Sequence, residues 1–351
     1  MKPNIVFIVG KLHSFAGSSN QALVLAESLA ETVSNIFILN LEKDAHEDVY
    51  INGVLVKSLR RFGYIGYIKF FLSLEKNTII HIQGYFLDFV LLCFAFRFKY
   101  IIKSTLYNSD DYLSLRASRF GYIKSFLLRR ADANNALSPQ IYRINERFCK
   151  SDRVFCIPNV VSFYNNITSY NQKKNRVIFV GGIVKRKRPH LAIKFFLEHF
   201  PIDYEFQLIG PSIETADYDA DYFNYCKSLI GDRVSLIGKM SKDFIEEELS
   251  KSKFLLFFSE NEGMPNVVLE AMSFNCIPIM TPMDGLAETL LPEELNHLIV
   301  NNFDKLEFDK IISSHEKVIR NNVLRDFVIE NNHRDVVVAK TVAMYERVLS
   351  D

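Results

Sequence analysis

The stretch 254–285, FLLFFSENEGMPNVVLEAMSFNCIPIMTPMDG, constrains this chain more than any other. The apolar residues at 254–258 are too few for a buried helix and suit a buried strand. A polar turn with a Gly263-Met264-Pro265 corner follows, then a helical pattern over 266–274 and a second apolar run at 277–280. Strand, helix, strand in that order is a βαβ crossover, and a chain built from such units folds as an α/β protein around parallel strands. In open parallel sheets ligands bind at the carboxyl ends of strands, where a helix N-terminus offers N–H groups and positive dipole to an anion. The candidate site is therefore the turn between 258 and 266. Two carboxylates bracket it, Glu262 before the corner and Glu270 on the helix, two helical turns apart, so both can face one ligand at different depths.

The ordered set Ser259, Glu262, Gly263, Pro265, Leu269, Glu270, Ala271, Met272, Pro278, Thr281, Gly285 and Glu288 resembles the donor-site signature of the retaining GT-B glycosyltransferases of family 4. The resemblance implies an α/β fold of the GT-B kind, two Rossmann-like domains facing a central cleft. It also implies that Glu262 contacts the donor sugar, that Glu270 binds the ribose hydroxyls, and that Gly263, Met264, Pro265, Asn266, Val267 and Val268 line the diphosphate, with the amides of 266–268 holding it. One departure is Asn275, where the family usually has Gly; Asn is the next-best residue for a left-handed helix C-cap, so the fold should tolerate it. Without the resemblance, the carboxylate pair reads as a solvated helix start whose acids the dipole favours.

At 351 residues the chain exceeds one ordinary core and suits two domains of about 150 to 200 residues. A hydrophobic share of 48% against 24% charged excludes a disordered chain. The opening MKPNIVFIVG has too short an apolar run for a signal peptide and no cleavage site after it, so it reads as the first buried strand. The apolar stretch 85–102 is broken by Asp88, Arg97 and Lys99, and no membrane-spanning helix is expected. Five scattered cysteines without a C-x-x-C pair fit a reducing cytoplasm and argue against zinc. The net charge of +1 hides an asymmetry: residues 1–150 hold 19 Lys and Arg against 12 Asp and Glu, and the remainder 23 against 29. The two halves therefore meet different partners or surfaces.

Strands are predicted at 4–9, 35–40, 78–82, 99–104 and 133–137 with helices between them, an alternation that indicates a parallel sheet. Gly17 and Ser18 precede a helix predicted at 20–31 and resemble a shortened form of the family's Gly-rich loop; an ordinary N-cap at Ser18 or Ser19 is the alternative. His81 stands where family members often show His-x-His-Gly, and reads either as a cleft residue or as a satisfied structural histidine. The family's acceptor-side His has no counterpart, so the candidate acceptor group is Asn108 in the polar loop 104–111. Residues 158–161, Pro-Asn-Val-Val, resemble the family's Pro-Asn-Gly-Val junction, and the Asn-rich stretch 164–175 reads as a linker.

The second half opens with a strand at 176–180, then Gly181-Gly182 and the basic run Lys185-Arg186-Lys187-Arg188 before a helix from Pro189. Family members carry Gly-Arg-x-x-x-x-Lys here. Lys187 matches the Lys and Gly182 occupies the Arg position, so phosphate neutralisation falls to Lys187 with help from Lys185, Arg186 or Arg188. Strands at 206–209 and 234–237 each end in Gly. Asp217, Asp219 and Asp221 read as helix-start acids, and no metal ligand is assigned. The last helix contains Val342-Ala343-Met344-Tyr345-Glu346, which in the resembled fold crosses back onto the first domain.

Two segments, 60–72 and 119–130, interleave cations with aromatics and share Arg-Phe-Gly-Tyr-Ile; residues 51–131 carry 13 Lys and Arg against 4 Asp and Glu. Such a surface suits an anionic membrane interface. Nucleic-acid binding would also want such a surface, and the bland alternative is two core-packing helices with a solvated basic face.

The expected domains are 1–162, Rossmann-like and acceptor-binding; 163–335, Rossmann-like and nucleotide-sugar-binding; and 336–351, a helix returning to the first. The expected activity is retaining, metal-independent transfer of a hexose-type sugar from a nucleotide-diphosphate donor to a glycan or lipid-linked acceptor. Its setting would be the synthesis of bacterial O-antigen, capsule or lipopolysaccharide, in the cytoplasm or on the inner membrane face, with no cofactor and no nucleic acid. Glu262 and Lys187 would be catalytic, and Gly181, Gly182, Lys187, residues 263–268 and Glu270 would bind the donor. The alternatives are a non-catalytic GT-B subunit or glycan-binding partner protein, kept open by Gly182, and a sugar-nucleotide epimerase of the same fold.

Overall fold

The computed structural model describes residues 2–350 apart from 13–16, 43–46, 59–62, 165–166, 214, 216 and 302–307. The chain divides into two compact units, one of Met1–Val160 with Arg334–Asp351 and one of Val161–His333.

In the first unit β1 (Asn4–Val9), β2 (Asn35–Asn40), β3 (Val49–Ile51), β4 (Val54–Lys57), β5 (Thr78–Gln83), β6 (Lys99–Ser104), β7 (Ala133–Ala136) and β8 (Val154–Cys156) form one sheet, ordered β3-β4-β2-β1-β5-β6-β7-β8. All neighbours are parallel except β3 with β4. All six side chains of β5 are buried, as a parallel strand covered on both faces requires. One face packs Ile5, Phe7, Ile79 and Ile101 with the Gly17–Leu29 helix and with Val337, Met344, Tyr345 and Val348 of the Arg334–Ser350 helix. The other packs Val6, Ile8, Ile80 and Ile102 against the Gly63–Ser73, Leu87–Phe96 and Gly121–Arg130 helices.

Two local expectations change. The β3–β4 hairpin was not predicted, although its turn, Asn52-Gly53 at φ 49° and 81°, is the strongest short hairpin signal a sequence carries. The first helix begins at Gly17, so Ser19 lies in its first turn instead of capping it.

In the second unit β9 (Lys174–Val180), β10 (Glu205–Ile209), β11 (Val234–Gly238), β12 (Ser252–Phe257) and β13 (Ile277–Met280) form an all-parallel sheet, ordered β11-β10-β9-β12-β13. The stretch 164–175, expected as a linker, is part of this unit. Buried Lys173 donates to the carbonyls of Ser250 and Ser252 at 2.8 and 2.9 Å, and the Tyr170 hydroxyl is bonded to His315 at 3.2 Å. A polar run can pack when its donors reach backbone carbonyls, which composition does not show. Asn275 takes the left-handed conformation at φ 53°, as its place after the 266–273 helix suggested. Among the described residues no helix is long and apolar enough to cross a membrane.

Candidate functional site

In the second unit the chemistry gathers at the carboxyl ends of β9, β10 and β12. After β9 and β10 the backbones of Gly181 and Gly210 touch: Gly181 N–H donates to Ile209 O at 2.9 Å, and a Cβ on Gly210 would stand 2.0 Å from Gly181 O. No side chain fits at 210. Beyond Gly182 the chain makes a single 3-10 turn over Lys185–Lys187, and Arg188 takes φ 50° before Pro189 starts the Pro189–His199 helix. That turn carries Arg186 and Lys187 to the loop that follows β12.

Glu262 is the meeting point. Its Oε1 is ion-paired with Lys187 Nζ, accepts from Arg186 at 3.0 Å, and accepts from Ser259 Oγ at 2.7 Å. Arg186 also donates to Asn261 O at 3.0 Å, and Glu260 N–H donates to Arg186 O at 2.9 Å, so the two loops are stitched in both directions. Ser259 is held in turn by Thr281, beyond β13, which donates to Ser259 O at 2.7 Å. Lys187 Nζ lies 5.0 Å from the Phe257 ring centroid. Burial works against the Glu262 carboxylate, but Lys187, then Arg186 and the bonds from Lys187 and Ser259 outweigh it and hold the group below the usual glutamate range. Among the described residues the three side-chain donors all use Oε1, so none of them occupies the lone pairs of Oε2.

The basic run divides by partner. Lys185 pairs with Asp219 at 2.6 Å and Arg188 with Glu260 at 2.9 Å, so of the three helpers named from the sequence only Arg186 joins Lys187 on Glu262. A Cβ on Gly182 would meet the Thr215 methyl at 3.3 Å; the second cation of the site therefore arrives from position 186. Asp219 itself caps the Ala220–Ser228 helix by accepting from Tyr222 N–H at 2.9 Å, the helix-start role read from its position.

The Asn266–Ser273 helix starts behind Pro265 with no side-chain cap, so its first-turn N–H groups face the loop. The Val268 amide donates to Pro265 O at 3.0 Å, and the expectation that all three amides of 266–268 serve a ligand is corrected at that position. Gly263 and Pro265 are buried; Met264 and Val267 pack against the core. Glu270 is half-buried and makes no side-chain hydrogen bond among the described residues. Burial, aided by Glu246 and opposed by Lys242, raises its pKa above the usual glutamate value.

In the first unit a cavity of about 620 Å³ is lined by Gly10, Tyr64, Tyr67, Tyr85, Phe86 and Asp88 among others, and the Tyr64 hydroxyl donates to Asp88 at 2.9 Å. Sequence reasoning missed it; the available signal was the aromatic pair Tyr85-Phe86 directly after a strand and Gly84. The candidates named for this unit lie elsewhere. His81 is fully buried inside the sheet, bonded through Nδ1 to Tyr345 Oη at 2.9 Å and stacked 4.9 Å from Phe7, and burial, then Lys103, pushes it down to about 3. It is a neutral core histidine and lines no opening. Asn108 is an exposed turn residue at φ 60°; in its loop Asp110 accepts from the amides of Thr105 and Leu106 at 2.7 and 2.9 Å, and Asp111 caps the next helix. Gly17 is exposed at its helix start, while the Ser18 side chain lies outside the described residues.

Residues 162–334 match the family model described as glycosyl transferases group 1. Across 348 residues, 93% of this chain and 92% of the relative, the chain is 24% identical to the GalNAc-alpha-(1->4)-GalNAc-alpha-(1->3)-diNAcBac-PP-undecaprenol alpha-1,4-N-acetyl-D-galactosaminyltransferase of Campylobacter jejuni. It is 25% identical to an uncharacterized glycosyltransferase of Methanocaldococcus jannaschii, with 87% of this chain and 86% of that one covered. Among solved structures it is similar to sucrose-phosphate synthase from Thermosynechococcus elongatus, with TM-score 0.78 at 16% identity over 99% of this chain and 100% of the other. It is also similar to Anabaena HepE in complex with UDP-glucose, with TM-score 0.75 at 14% identity over 99% and 100%. At those identities the structures show a shared fold.

Proposed function

We propose that this chain, a glycosyltransferase of GT-B fold whose residues 162–334 form a group 1 glycosyl transferase domain, moves a hexose-type sugar from a nucleotide-diphosphate donor to a lipid-linked saccharide, with retention and without a metal. The observation that carries this reading is Glu262, kept anionic beside Lys187 and Arg186 ahead of the Asn266–Ser273 helix, with Glu270, side chain unbonded among the described residues, two turns further on.

A donor entering here brings a diphosphate that competes with Oε1 for Lys187 and Arg186. As the glycosidic bond breaks, charge grows on the leaving diphosphate and positive character on the anomeric carbon. The two cations and the helix's first-turn N–H groups are aimed at the first of these, and such preorganised donors stabilise a transition state more than a ground state. Oε2 of Glu262 accepts from sugar hydroxyls. Glu270 accepts from the ribose, a hydrogen bond no protein group among the described residues competes for.

The acceptor class is supported by the Campylobacter relative, whose name gives a PP-undecaprenol saccharide as its acceptor. The aromatic walls of the first unit's cavity suit the apolar faces of sugar rings. Synthesis of a bacterial surface polysaccharide is the setting that such an acceptor fits. The test is turnover of UDP- and GDP-sugars by the purified protein in EDTA, with the anomeric configuration of the product read by NMR. Inversion, or dependence on a divalent ion, would overturn the mechanism; absence of both hydrolysis and transfer would overturn the enzyme reading.

A further inference from the structure

We propose that the outer face of the Gly63–Ser73, Leu87–Phe96 and Gly121–Arg130 helices is a docking surface for an anionic bilayer. Each helix already buries one apolar side in the core under the sheet: Tyr67, Phe70 and Phe71; Phe89, Val90 and Cys93; Leu127 and Leu128. A helix with its core face satisfied should present polar residues outward. These present apolar ones instead. The first exposes Tyr64, Ile65, Ile68 and Leu72, at spacing that makes one outward stripe, with Ile65 and Leu72 exposed to 68% and 67%. The second exposes Leu91 and Phe94, and the third Tyr122, Ile123 and Phe126. Neighbouring stripes join: Tyr64 bonds to Asp88 on the second helix, and the rings of Phe94 and Phe126 meet edge to face at 6.1 Å. Nine of the 21 exposed large hydrophobic side chains among the described residues lie on these three helices, so the patch is concentrated and not a scatter of single residues.

The charge on this region selects the occupant. Between 63 and 131 nine Lys and Arg are accessible, against two accessible carboxylates, Glu75 and Asp88. Three of these cations lie on exposed rings, with the guanidinium of Arg116 3.2 Å from the Tyr122 centroid, Arg119 4.9 Å from Phe120 and Arg130 5.4 Å from Phe126. A surface that mixes exposed aromatics with cations matches the headgroup layer of an anionic membrane, where rings enter the interface and cations meet lipid phosphates. Arg60, Arg61 and Phe62, which open the first basic-aromatic segment of the sequence, lie outside the described residues, and the surface stands without them. The inference does not depend on the donor chemistry of the second unit. It does place the aromatic cavity beside the lipid, because Tyr64, Tyr67, Asp88 and Phe89 of the first two helices line it.

The experiment is cosedimentation of the full chain with phosphatidylcholine vesicles, with and without phosphatidylglycerol, at low and high salt. Binding is expected to the anionic vesicles only and to weaken with salt. Joint substitution Lys69→Ser, Arg129→Ser, Arg130→Ser should weaken it by about a hundredfold, since each cation near such a surface contributes about a factor of five. Ile65→Ser with Leu72→Ser and Phe126→Ser should also abolish it, with circular dichroism and melting temperature checking that the fold is kept. Equal or negligible binding to both vesicle types would overturn the proposal. So would a wild-type dimer that these apolar substitutions convert to a monomer, which would make the face a contact between copies of the chain.

Discussion

Lys187 and Glu262 pair through a single carboxylate oxygen, the one that also receives Arg186 and Ser259. On the proposed function, the chain's own carboxylate holds these two cations until a donor arrives, and donor binding would be an exchange in which a diphosphate replaces one oxygen of Glu262. Lys187→Ala should therefore lower kcat/KM by about a hundredfold and Arg186→Ala by about tenfold, from the roughly 1.5–3 kcal/mol of a charge-assisted hydrogen bond. Steady-state kinetics on the donor sugar decide this, and the loss should fall on kcat more than on KM.

The same exchange sets a different outcome for Glu262. Glu262→Gln keeps the size of the side chain but no longer holds the two cations, so affinity for the free nucleoside diphosphate should be kept or improved while sugar transfer falls. Calorimetric titration beside turnover measurements separates the two effects; a parallel loss of both would remove Glu262 from the sugar.

A pH dependence follows from Glu270. Burial raises its pKa, so on acidification it takes up a proton at a higher pH than an ordinary glutamate and then loses acceptor capacity toward ribose hydroxyls. Nucleotide affinity should fall as pH drops through that raised value. Glu270→Gln should bind weakly at every pH and lack that component of the slope, as titrations with UDP or GDP across pH 4 to pH 7 would show.

His81 makes the opposite case, a titratable group whose effect is on stability alone. Its folded pKa of about 3 lies below the unfolded value near 6.5, so between these the unfolded chain binds more protons and stability rises with pH. Acidification from about pH 6.5 toward pH 3 removes that stability. Tyr345→Phe leaves Nδ1 without its partner and should cost about 1–3 kcal/mol, whereas His81→Phe with Tyr345→Phe replaces both partners by apolar rings and should cost less and show a shallower acid slope. Urea unfolding at several pH values measures both, and donor turnover per folded molecule should be unchanged.

Gly210→Ala should be among the most damaging single-methyl additions in the chain. Its Cβ would overlap the Gly181 carbonyl at 2.0 Å, and backbone on both sides would have to move apart. A loss of more than about 4 kcal/mol is expected from such a clash, visible as a large fall in the second unit's melting temperature.

The local structure around the candidate site was legible where local pattern alone decides it. Glu262, the Gly263-Met264-Pro265 corner and Glu270 sit in a βαβ unit whose strands and helix are each marked by periodicity, and the structure keeps that order. What could not be read was partner choice. The run 185–188 contains four adjacent cations, and only tertiary contacts send Lys185 to Asp219, Arg188 to Glu260 and the middle pair to Glu262. Likewise His81 looks the same in sequence whether it opens on a ligand or, as here, packs between Phe7 and Tyr345, a residue 264 positions away. The β3–β4 hairpin was overlooked for a weaker reason, since Asn52-Gly53 announces it.

The Arg334–Ser350 helix, with Val337, Met344, Tyr345 and Val348 seated on the first unit's sheet, gives that unit a late-arriving part. A growing chain completes every residue of the second unit before it makes this helix, so on the ribosome the sheet face that carries the Gly17–Leu29 helix lacks the rest of its cover until residues 334–350 are made. His81 spends that interval without the hydroxyl that later binds it. The order of synthesis and the order of completion are therefore reversed: the half translated first is the half finished last.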